Sequence, residues 1–495
     1  MPEQFLHGVE VLEILDGPRP IRTVASSVIG LIGTAPAAEA EVKASLTIGT
    51  TAANNGILFT SKKTGELGNK TAVRLRNPMA NSATLSVNVS GDLITVNLAT
   101  GPTGTVTTTG TLLIAAIAAN TAANALVTAA NVATSTGAGV VLVTNMTFLE
   151  DGKNEAFPLN TPVLVSGSRT LAARAGATGT LPNALDGILD QAGAAVVVVR
   201  VTEGANLAAT VTNIVGSSSL KTGAWAFTSA ETSLGVRPRV LIAPGFSDQQ
   251  AATSELLAVA TRLRAVVIAD GPNTTDAAAI TYAQGFGSDR LMIVDPQVQV
   301  LRAGVLVNEP ASSRVAGLIA KSDNDRGFWW SPSNQEILGI SGASRPVDFI
   351  LGDVNCSANL LNAANVSTII RQNGFRLWGN RSTSADPAFA FLSVRRTADL
   401  IYDSIQAAHF WAIDRNITKT YLEDVSESVN GYLRSLKNQG AILGGKCWPD
   451  PDLNTPANIA QGKVYFNFDF TPPYPAEHII FRAILTNDYI EELTA

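Results

Sequence analysis

The stretch of this sequence that comes nearest to a phosphate-binding motif is GAILGGKC, residues 440–447. It matches the G-x4-G-K-[ST] loop except at its last position, where Cys447 replaces the hydroxyl residue that would bind Mg²⁺. A phosphate loop needs a strand before the glycines and a helix after them, so that helix N–H groups surround the phosphates. Here a helical pattern comes first and Trp448-Pro449-Asp450-Pro451 follows. The arrangement is more typical of a helix C-cap followed by a turn.

Two aspartates and three histidines are the other candidates for chemistry. Asp270 and Asp295 directly follow predicted strands, which is where open α/β sheets place active sites, although Asp-Gly-Pro and Asp-Pro are also ordinary turn signals. His7, His409 and His478 accompany no Ser or Cys in a nucleophile motif, and G-x-S-x-G does not occur. We therefore expect no catalytic, cofactor-binding or metal-binding residues, no cofactor, and a protein that is not an enzyme.

The segment GFWWSPSNQEILGI, residues 327–340, contains two adjacent tryptophans. Such a pair could form one wall of a ligand site. More often it anchors one part of a protein on another, because each Trp buries a large area and has a single N–H to satisfy. We expect the anchoring role.

Composition limits the possible partners. The 495 residues are 46% apolar and only 15% charged, with a formal charge of −6, so we expect a large core and a weakly charged surface suited to protein contacts. Nucleic-acid binding requires clustered Lys and Arg, which are missing. The apolar run at 112–119 is too short to span a bilayer, and the N-terminus does not resemble a signal peptide. We expect no nucleic acid, no membrane insertion and synthesis in the cytoplasm.

The elements that would hold these residues divide the chain into regions. Between Asn77 and Leu149 the only charged residue is Asp92, and TLSVNVSGDLITVNLAT (84–100) alternates as a β-hairpin does. From residue 157 to about 320, apolar strands such as AAVVVVRV alternate with amphipathic helices, which predicts an open α/β sheet. Two long helices follow Arg395, and the chain ends in strand-like segments.

The predicted fold is therefore multidomain, α/β and α+β: an open α/β core, an α+β C-terminal domain with terminal strand arms, and a mostly β inserted module. The predicted boundaries are 1–38 for an N-terminal arm and first core strand, 39–155 for the module, 156–344 for the core and 345–495 for the C-terminal domain.

Four segments together resemble the tail sheath proteins of bacteriophages with contractile tails. They are HGVEVLEILDGPRPIRTVASSVIGLIGTAP (7–36), FPLNTPVLV (157–165), RGFWWSPSNQEILGI (326–340) and FWAIDRNITKTYLEDVSESVNGYLRSLKNQGAILGGKCW (410–448). The resemblance covers about 1–38 and 156–495. Residues 39–155 depart from it, and the resemblance implies that such an insertion lies on the outer surface.

The resemblance also implies a function: a structural subunit of the virion tail, stacked as six-fold rings in a helical sheath around the tail tube. The expected partners are other copies of the chain, the tail tube protein, and baseplate and tail terminator proteins. On contraction, subunits would move as rigid bodies and drive the tube through the bacterial envelope for genome delivery. Neighbouring subunits would be linked by exchanged strands that include Val9, Val11, Ile14, Val464, Phe466, Phe468 and Phe470.

The implied tube-facing surface is the C-terminal domain, with Lys419, Arg434 and Lys437 as candidate contacts. Two alternatives remain open. One is the sheath of a related contractile, bacteriocin-like particle. The other is a cytosolic α/β hydrolase or nucleotide-binding enzyme that would use Asp270, Asp295 or the GAILGGK segment.

Overall fold

A computed structural model describes residues 21–487. They form two compact units. The first, called the core unit, comprises residues 21–34, 160–169 and 179–487. The second, called the inserted unit, comprises residues 35–159 and 170–178.

The secondary-structure elements follow in chain order. The strands are β1 (Ile29–Thr34), β2 (Ser45–Ile48), β3 (Ile57–Ser61), β4 (Ala72–Arg76), β5 (Ser86–Ser90), β6 (Leu93–Asn97), β7 (Val127–Asn131), β8 (Thr144–Phe148), β9 (Val163–Ser166), β10 (Ala195–Val201), β11 (Val240–Ile242), β12 (Val266–Asp270), β13 (Leu291–Val294), β14 (Val298–Arg302), β15 (Val305–Glu309), β16 (Gly342–Ala343), β17 (Val366–Arg371), β18 (Phe375–Trp378), β19 (Gly444–Pro449) and β20 (Phe466–Thr471). The helices are α1 (Gly110–Ala119), α2 (Thr121–Leu126), α3 (Arg169–Ala173), α4 (Leu181–Leu189), α5 (Leu207–Val215), α6 (Ala230–Leu234), α7 (Gln250–Leu263), α8 (Asp276–Gln284), α9 (Ser312–Arg326), α10 (Ser357–Ala363), α11 (Leu392–Ala408), α12 (Lys419–Gln439) and α13 (Pro456–Ala460).

The core unit is built on an eight-stranded sheet in the order β18-β17-β13-β12-β11-β1-β10-β9. Its six central strands are parallel, and β9 and β18 add antiparallel edges. Along β10, Val197 and Val199 join the cluster formed with α5, α7 and α8, whereas the buried Val196 and Val198 alternate with them and lie outside that cluster. Since side chains alternate between the faces of a strand, both faces of the sheet are buried, as the apolar runs predict.

The sheet extends further along the chain than the sequence predicts. β17 and β18 are its last strands, so it ends at Trp378 rather than before residue 344. The chain then enters α11 and α12, which share an apolar cluster with the β19–β20 pair. Phe328 and Trp329, just after α9, pack into that cluster, while Trp330 remains exposed. The first two residues of this aromatic segment thus anchor the end of α9.

The inserted unit has its own core. Its sheets are β2-β3-β7 and β5-β6-β4-β8, and the predicted hairpin is present as β5 and β6 with Gly91 in the turn. Every buried member of its apolar cluster lies between Ala44 and Leu149. The Ala-rich stretch forms two short helices, α1 and α2, because Asn120 ends the first and caps the second. None of the helices among residues 21–487 is long and apolar enough to cross a membrane.

Candidate assembly site

The strand predicted to link subunits lies in the core unit, next to another strand of its own chain. Phe466, Phe468 and Phe470 belong to β20, which pairs antiparallel with β19; Phe468 stands opposite Cys447. Val464 precedes the strand and is half-buried. Within the described residues, β20 is therefore one strand of a two-stranded sheet and not a free arm.

The three phenylalanines fix β20 onto the cluster beneath it. Their rings pack, half-buried, against the apolar residues of α11 and α12. The ring of Tyr402 on α11 lies 5.9 Å from that of Phe468 and 6.0 Å from that of Phe470, both in edge-to-face geometry. Aromatic contacts of this kind add to the apolar burial. The strand is consequently held from one face, and its outer edge keeps a fixed position.

The two edges of this sheet differ. On the β19 side, the carboxamide of Asn430 on α12 accepts a hydrogen bond from the Cys447 N–H (2.8 Å) and donates one to the Cys447 carbonyl (3.0 Å). In an antiparallel ladder, opposed residues either bond each other or both face outward. Because the main-chain N–H and C=O of Cys447 point away from β20, those of Phe468 point away from β19. By the two-residue period, the main-chain groups of Phe466 and Phe470 point the same way as those of Phe468. Their N–H and C=O groups have no main-chain partner among the described residues.

An exposed apolar segment follows β20. Tyr474 packs on Phe391, with ring centroids 6.2 Å apart, and Glu477 accepts a hydrogen bond from Arg381 Nε at 2.8 Å. Beyond this point the described chain forms neither helix nor strand. The exposed fraction of its large apolar side chains lies between 67% and 98%; they are Ile479, Ile480, Phe481, Ile484 and Leu485. This segment, rather than β20, is the unpaired one.

Three candidate tube contacts lie on α12. Lys419 and Lys437 are 437 − 419 = 18 residues apart, which is five helical turns, so they share one side of the helix. Lys419 pairs with Glu423 at 3.7 Å, and the exposed Arg434 pairs with Glu427. Lys437 is exposed and forms no ion pair within residues 21–487.

Buried ion pairs join α11 to the eight-stranded sheet of the core unit. Asp403 contacts Arg239 directly, Arg264 Nη1 at 2.6 Å and Arg237 Nη1 at 3.5 Å. These arginines flank β11 and α7, so a single carboxylate joins three positions of the α/β layer to one helix. None of them was identified from the sequence, because no local pattern shows which charges meet in the fold.

Asp270 is buried at the carboxyl end of β12. Its carboxylate accepts hydrogen bonds from Ser312 N (2.8 Å), Ser312 Oγ (2.6 Å) and Ser247 Oγ (2.9 Å). Burial raises the pKa of Asp270 to about 6, against the effect of these hydrogen bonds. The arrangement fixes the start of α9 on the sheet.

Asp295 is buried at the end of β13. It accepts a hydrogen bond from Asn273 N at 2.7 Å and pairs with Arg345. Burial raises the pKa of Asp295, while the Asn273 N–H and the Arg345 guanidinium oppose that shift. Both aspartates are thus occupied by internal partners.

The remaining candidates for chemistry are also placed: His409 is half-buried with Nδ1 2.7 Å from the Ile405 carbonyl oxygen, and His478 is exposed. Gly440 adopts a left-handed conformation that caps α12, and β19 follows it, so GAILGGKC has the order helix then strand, opposite to that of a phosphate loop. Residues 21–487 contain no group of three or more His, Cys, Asp or Glu side chains placed to hold a metal ion. His7 and the predicted arm residues Val9, Val11 and Ile14 lie outside the described residues.

Comparison with known proteins decides the family. Three family models match: the phage tail sheath protein central domain at residues 220–383, the phage tail sheath C-terminal domain at 384–486, and the N-terminal region of domain III of the tail sheath protein Gp18 at 140–201. A putative prophage major tail sheath protein of Pseudomonas aeruginosa (strain UCBPP-PA14) is 45% identical over 68% of this chain and 88% of its own length. The chain belongs to the family of contractile phage tail sheath proteins.

Two further sheath proteins extend the comparison. The tail sheath protein of Burkholderia phage BcepMu is 30% identical over 99% of this chain and 98% of its own length, so its similarity includes the inserted unit. The contracted sheath complex of an extracellular contractile injection system, PVC, matches with a TM-score of 0.53 at 18% identity, over 68% of this chain and 90% of its own. That likeness is one of fold. The mixed α/β multidomain architecture of this sheath subunit is therefore shared with sheaths of phages and of related injection systems.

Proposed function

We propose that this chain polymerises around a tail tube as stacked six-fold rings, and that exchanged strands link its subunits during contraction. The observation that carries the proposal is the open outer edge of β20, where the N–H and C=O groups of Phe466, Phe468 and Phe470 face away from β19. Such an edge binds an extended segment by main-chain hydrogen bonding.

The segment after Glu477 has the form of an incoming strand. In an extended conformation Ile479, Phe481, Ala483 and Leu485 would occupy one face, and Ile480 and Ile484 the other. In the free subunit these apolar side chains are exposed, and docking on a neighbour's β20 would remove them from water. The N-terminal arm, with Val9, Val11 and Ile14, is proposed to contribute a second exchanged strand.

Contraction is proposed to move each subunit as a rigid body. The ion pairs of Asp403 with Arg239 and Arg264 support this, since separating α11 from the α/β layer would leave buried charges without partners. The energy would come from larger contacts between subunits in the contracted state, while the exchanged strands keep the subunits connected.

The other proposed partners are those that the resemblance to tail sheath proteins implies. The C-terminal domain, about residues 345–495, would line the inside of the sheath and contact the tube through α12, with Lys419, Arg434 and Lys437 as candidate contacts. The sheath would end on baseplate and tail terminator proteins. The module at 39–155 would lie on the outside. The protein would be a virion component made in the host cytoplasm, with a structural rather than a catalytic role.

The test is removal of residues 476–495. We expect the truncated subunit to keep its melting temperature within a few degrees, because the side chains of residues 476–487, the described part of the removed segment, are exposed. We expect it to form no hollow tubes, with or without purified tail tube, when imaged by negative-stain electron microscopy. Arg381→Ala is the matched control, because it removes the ion pair with Glu477 and leaves the segment intact. Normal tubes from the truncated chain would refute strand exchange through this segment.

A further inference from the structure

The side chain of Asn430 forms the two hydrogen bonds with the main chain of Cys447 that a neighbouring strand would otherwise form. Its carboxamide accepts from the Cys447 N–H and donates to the Cys447 carbonyl, at 2.8 and 3.0 Å. Both main-chain groups that Cys447 directs outward are thereby used. Asn430 is on α12, so the helix that packs beside β19 also supplies the side chain that occupies its edge.

We infer that Asn430 closes the edge of β19, so that the C-terminal segment of a neighbouring subunit adds to the sheet only at β20. This inference rests on the strand addition proposed above and concerns its direction. It assigns Asn430 as a positioning residue of the polymer, which determines where a neighbour binds without contacting that neighbour itself.

The rest of the β19 edge supports the inference. Its outward-facing positions are Gly445, Cys447 and Pro449, by the two-residue period of the strand. Pro449 has no N–H to offer, and proline is a common means of protecting a sheet edge. With Cys447 occupied by Asn430, only Gly445 keeps both groups, and one residue cannot hold a strand in register.

A single open edge has a consequence for the polymer. The C-terminal segment of each subunit needs one acceptor edge on a neighbour, because heterologous contacts of this kind build rings and helices. A subunit with two open edges could accept segments on both sides, and the chains of linked subunits could branch. The closed β19 edge gives the C-terminal segment of a neighbour a single place to bind, so the links made by these segments run in one direction.

The amide of Asn430 is suited to this role because it offers one donor and one acceptor, matching the two groups of a backbone residue. A second asparagine provides a matched comparison. Asn454 makes the same two bonds with Tyr465, accepting from its N–H (2.8 Å) and donating to its carbonyl (2.9 Å). That contact lies inside the connection between β19 and β20, where Asp450 N also donates to the Tyr465 carbonyl, so its loss opens no outer edge.

The experiment uses the dilute full-length subunit and a synthetic peptide of residues 476–495. Native mass spectrometry counts bound peptides, and amide hydrogen exchange reports on the segments 444–449 and 466–471. For the unmodified subunit we expect one peptide, at least about tenfold slower exchange in 466–471, and no change in 444–449.

Asn430→Ala should open the second edge. We expect two bound peptides and new protection of 444–449, whereas Asn454→Ala should still bind one. If Asn430→Ala binds one peptide at 466–471 and leaves 444–449 unchanged, the inference about Asn430 is overturned and strand addition stands. If the unmodified subunit shows no protection of 466–471, strand addition itself fails. If Asn430→Ala does not fold, the unmodified subunit still decides: peptide-induced protection of 444–449 there overturns the inference, and protection of 466–471 alone supports it.

Discussion

The guanidinium of Arg396 and the carboxylate of Asp323 form two parallel hydrogen bonds, Nη1–Oδ1 at 3.0 Å and Nη2–Oδ2 at 2.5 Å. Arg396 belongs to α11 and Asp323 to α9, and both side chains are almost fully buried. The pair crosses the junction between the segments matched by the central-domain and C-terminal-domain family models. It is thus one of the bonds that would hold the two parts together when a subunit moves.

Removing one partner of this pair should be costly. We expect Arg396→Met to lower the free energy of unfolding by about 3–5 kcal/mol, because Asp323 would be left as a buried charge without its partner. Urea denaturation followed by circular dichroism measures the loss. The double variant Arg396→Met/Asp323→Leu should recover most of it, since no unpaired charge remains.

The exposed pair of Arg434 and Glu427 is the control for that experiment. Arg434→Met should change stability by less than about 0.5 kcal/mol, as is usual for a pair in solvent. Equal losses from Arg396→Met and Arg434→Met would show that burial does not govern these ion pairs.

Asp270 gives a pH-dependent prediction. Its pKa in the folded protein, about 6, lies above the ordinary 3.8, so the folded state holds the proton more tightly than the unfolded state does. Its contribution to stability is therefore fully present below pH 4 and is lost as the pH rises through 6. The loss is on the order of 3 kcal/mol for a shift of this size.

Asp270→Asn should remove that dependence. The amide keeps an acceptor for Ser312 N and cannot ionise, so the stability of the variant relative to the parent should rise between pH 4 and pH 7.5. Thermal melts of the two proteins across this range measure the difference. A constant difference at all pH values would mean that Asp270 does not titrate there.

The sequence predicts the core strands well and the partner of β20 poorly. AVVVVRV at 195–201 is a buried central strand, because a wholly apolar run has few other stable places. β20 alternates and is recognisable as a strand, but its partner β19 is GGKCWP, whose glycines and proline give no strand signal. Because the sequence shows no partner for β20 within the chain, it predicts an exchanged strand. In the structure, β20 pairs with β19 of the same chain. The Asn430–Cys447 contact is invisible for the same reason, because it depends on where α12 packs.

A substitution at Phe481 should affect assembly without affecting the stability of the subunit. Its side chain is 91% exposed, so Phe481→Asp should leave the melting temperature of the subunit unchanged. In a docked strand the same carboxylate would be placed on an apolar face, and we expect tube formation to be lost. Met79→Asp, at a residue 87% exposed in the inserted unit, is the control and should allow normal tubes in electron micrographs. Normal tubes from Phe481→Asp would remove this residue from the interface.

The inserted unit should be dispensable for folding of the rest. Its apolar cluster is made only of its own residues, and the two ends of the segment 40–155 come together where Ala156 N donates to the Glu39 carbonyl at 3.1 Å. Replacing residues 40–155 by a short Gly-Ser linker should give a soluble subunit that still forms tubes. Gel filtration and electron microscopy test this. An insoluble product would show that the core unit needs the inserted unit in order to fold.

Lys437 is the sharpest test of the tube-facing surface. Lys419 and Arg434 already pair with glutamates on α12, whereas Lys437 has no such pair among the described residues, so its charge is available to a partner. Lys437→Glu should weaken co-sedimentation of the subunit with purified tail tube by roughly tenfold, and more at low than at high salt, because salt screens exposed charges. Lys70→Glu makes the same charge change at an exposed position of the inserted unit and should leave tube binding intact. If both variants lose binding equally, net charge rather than α12 controls the contact; if only Lys437→Glu loses it, α12 faces the tube.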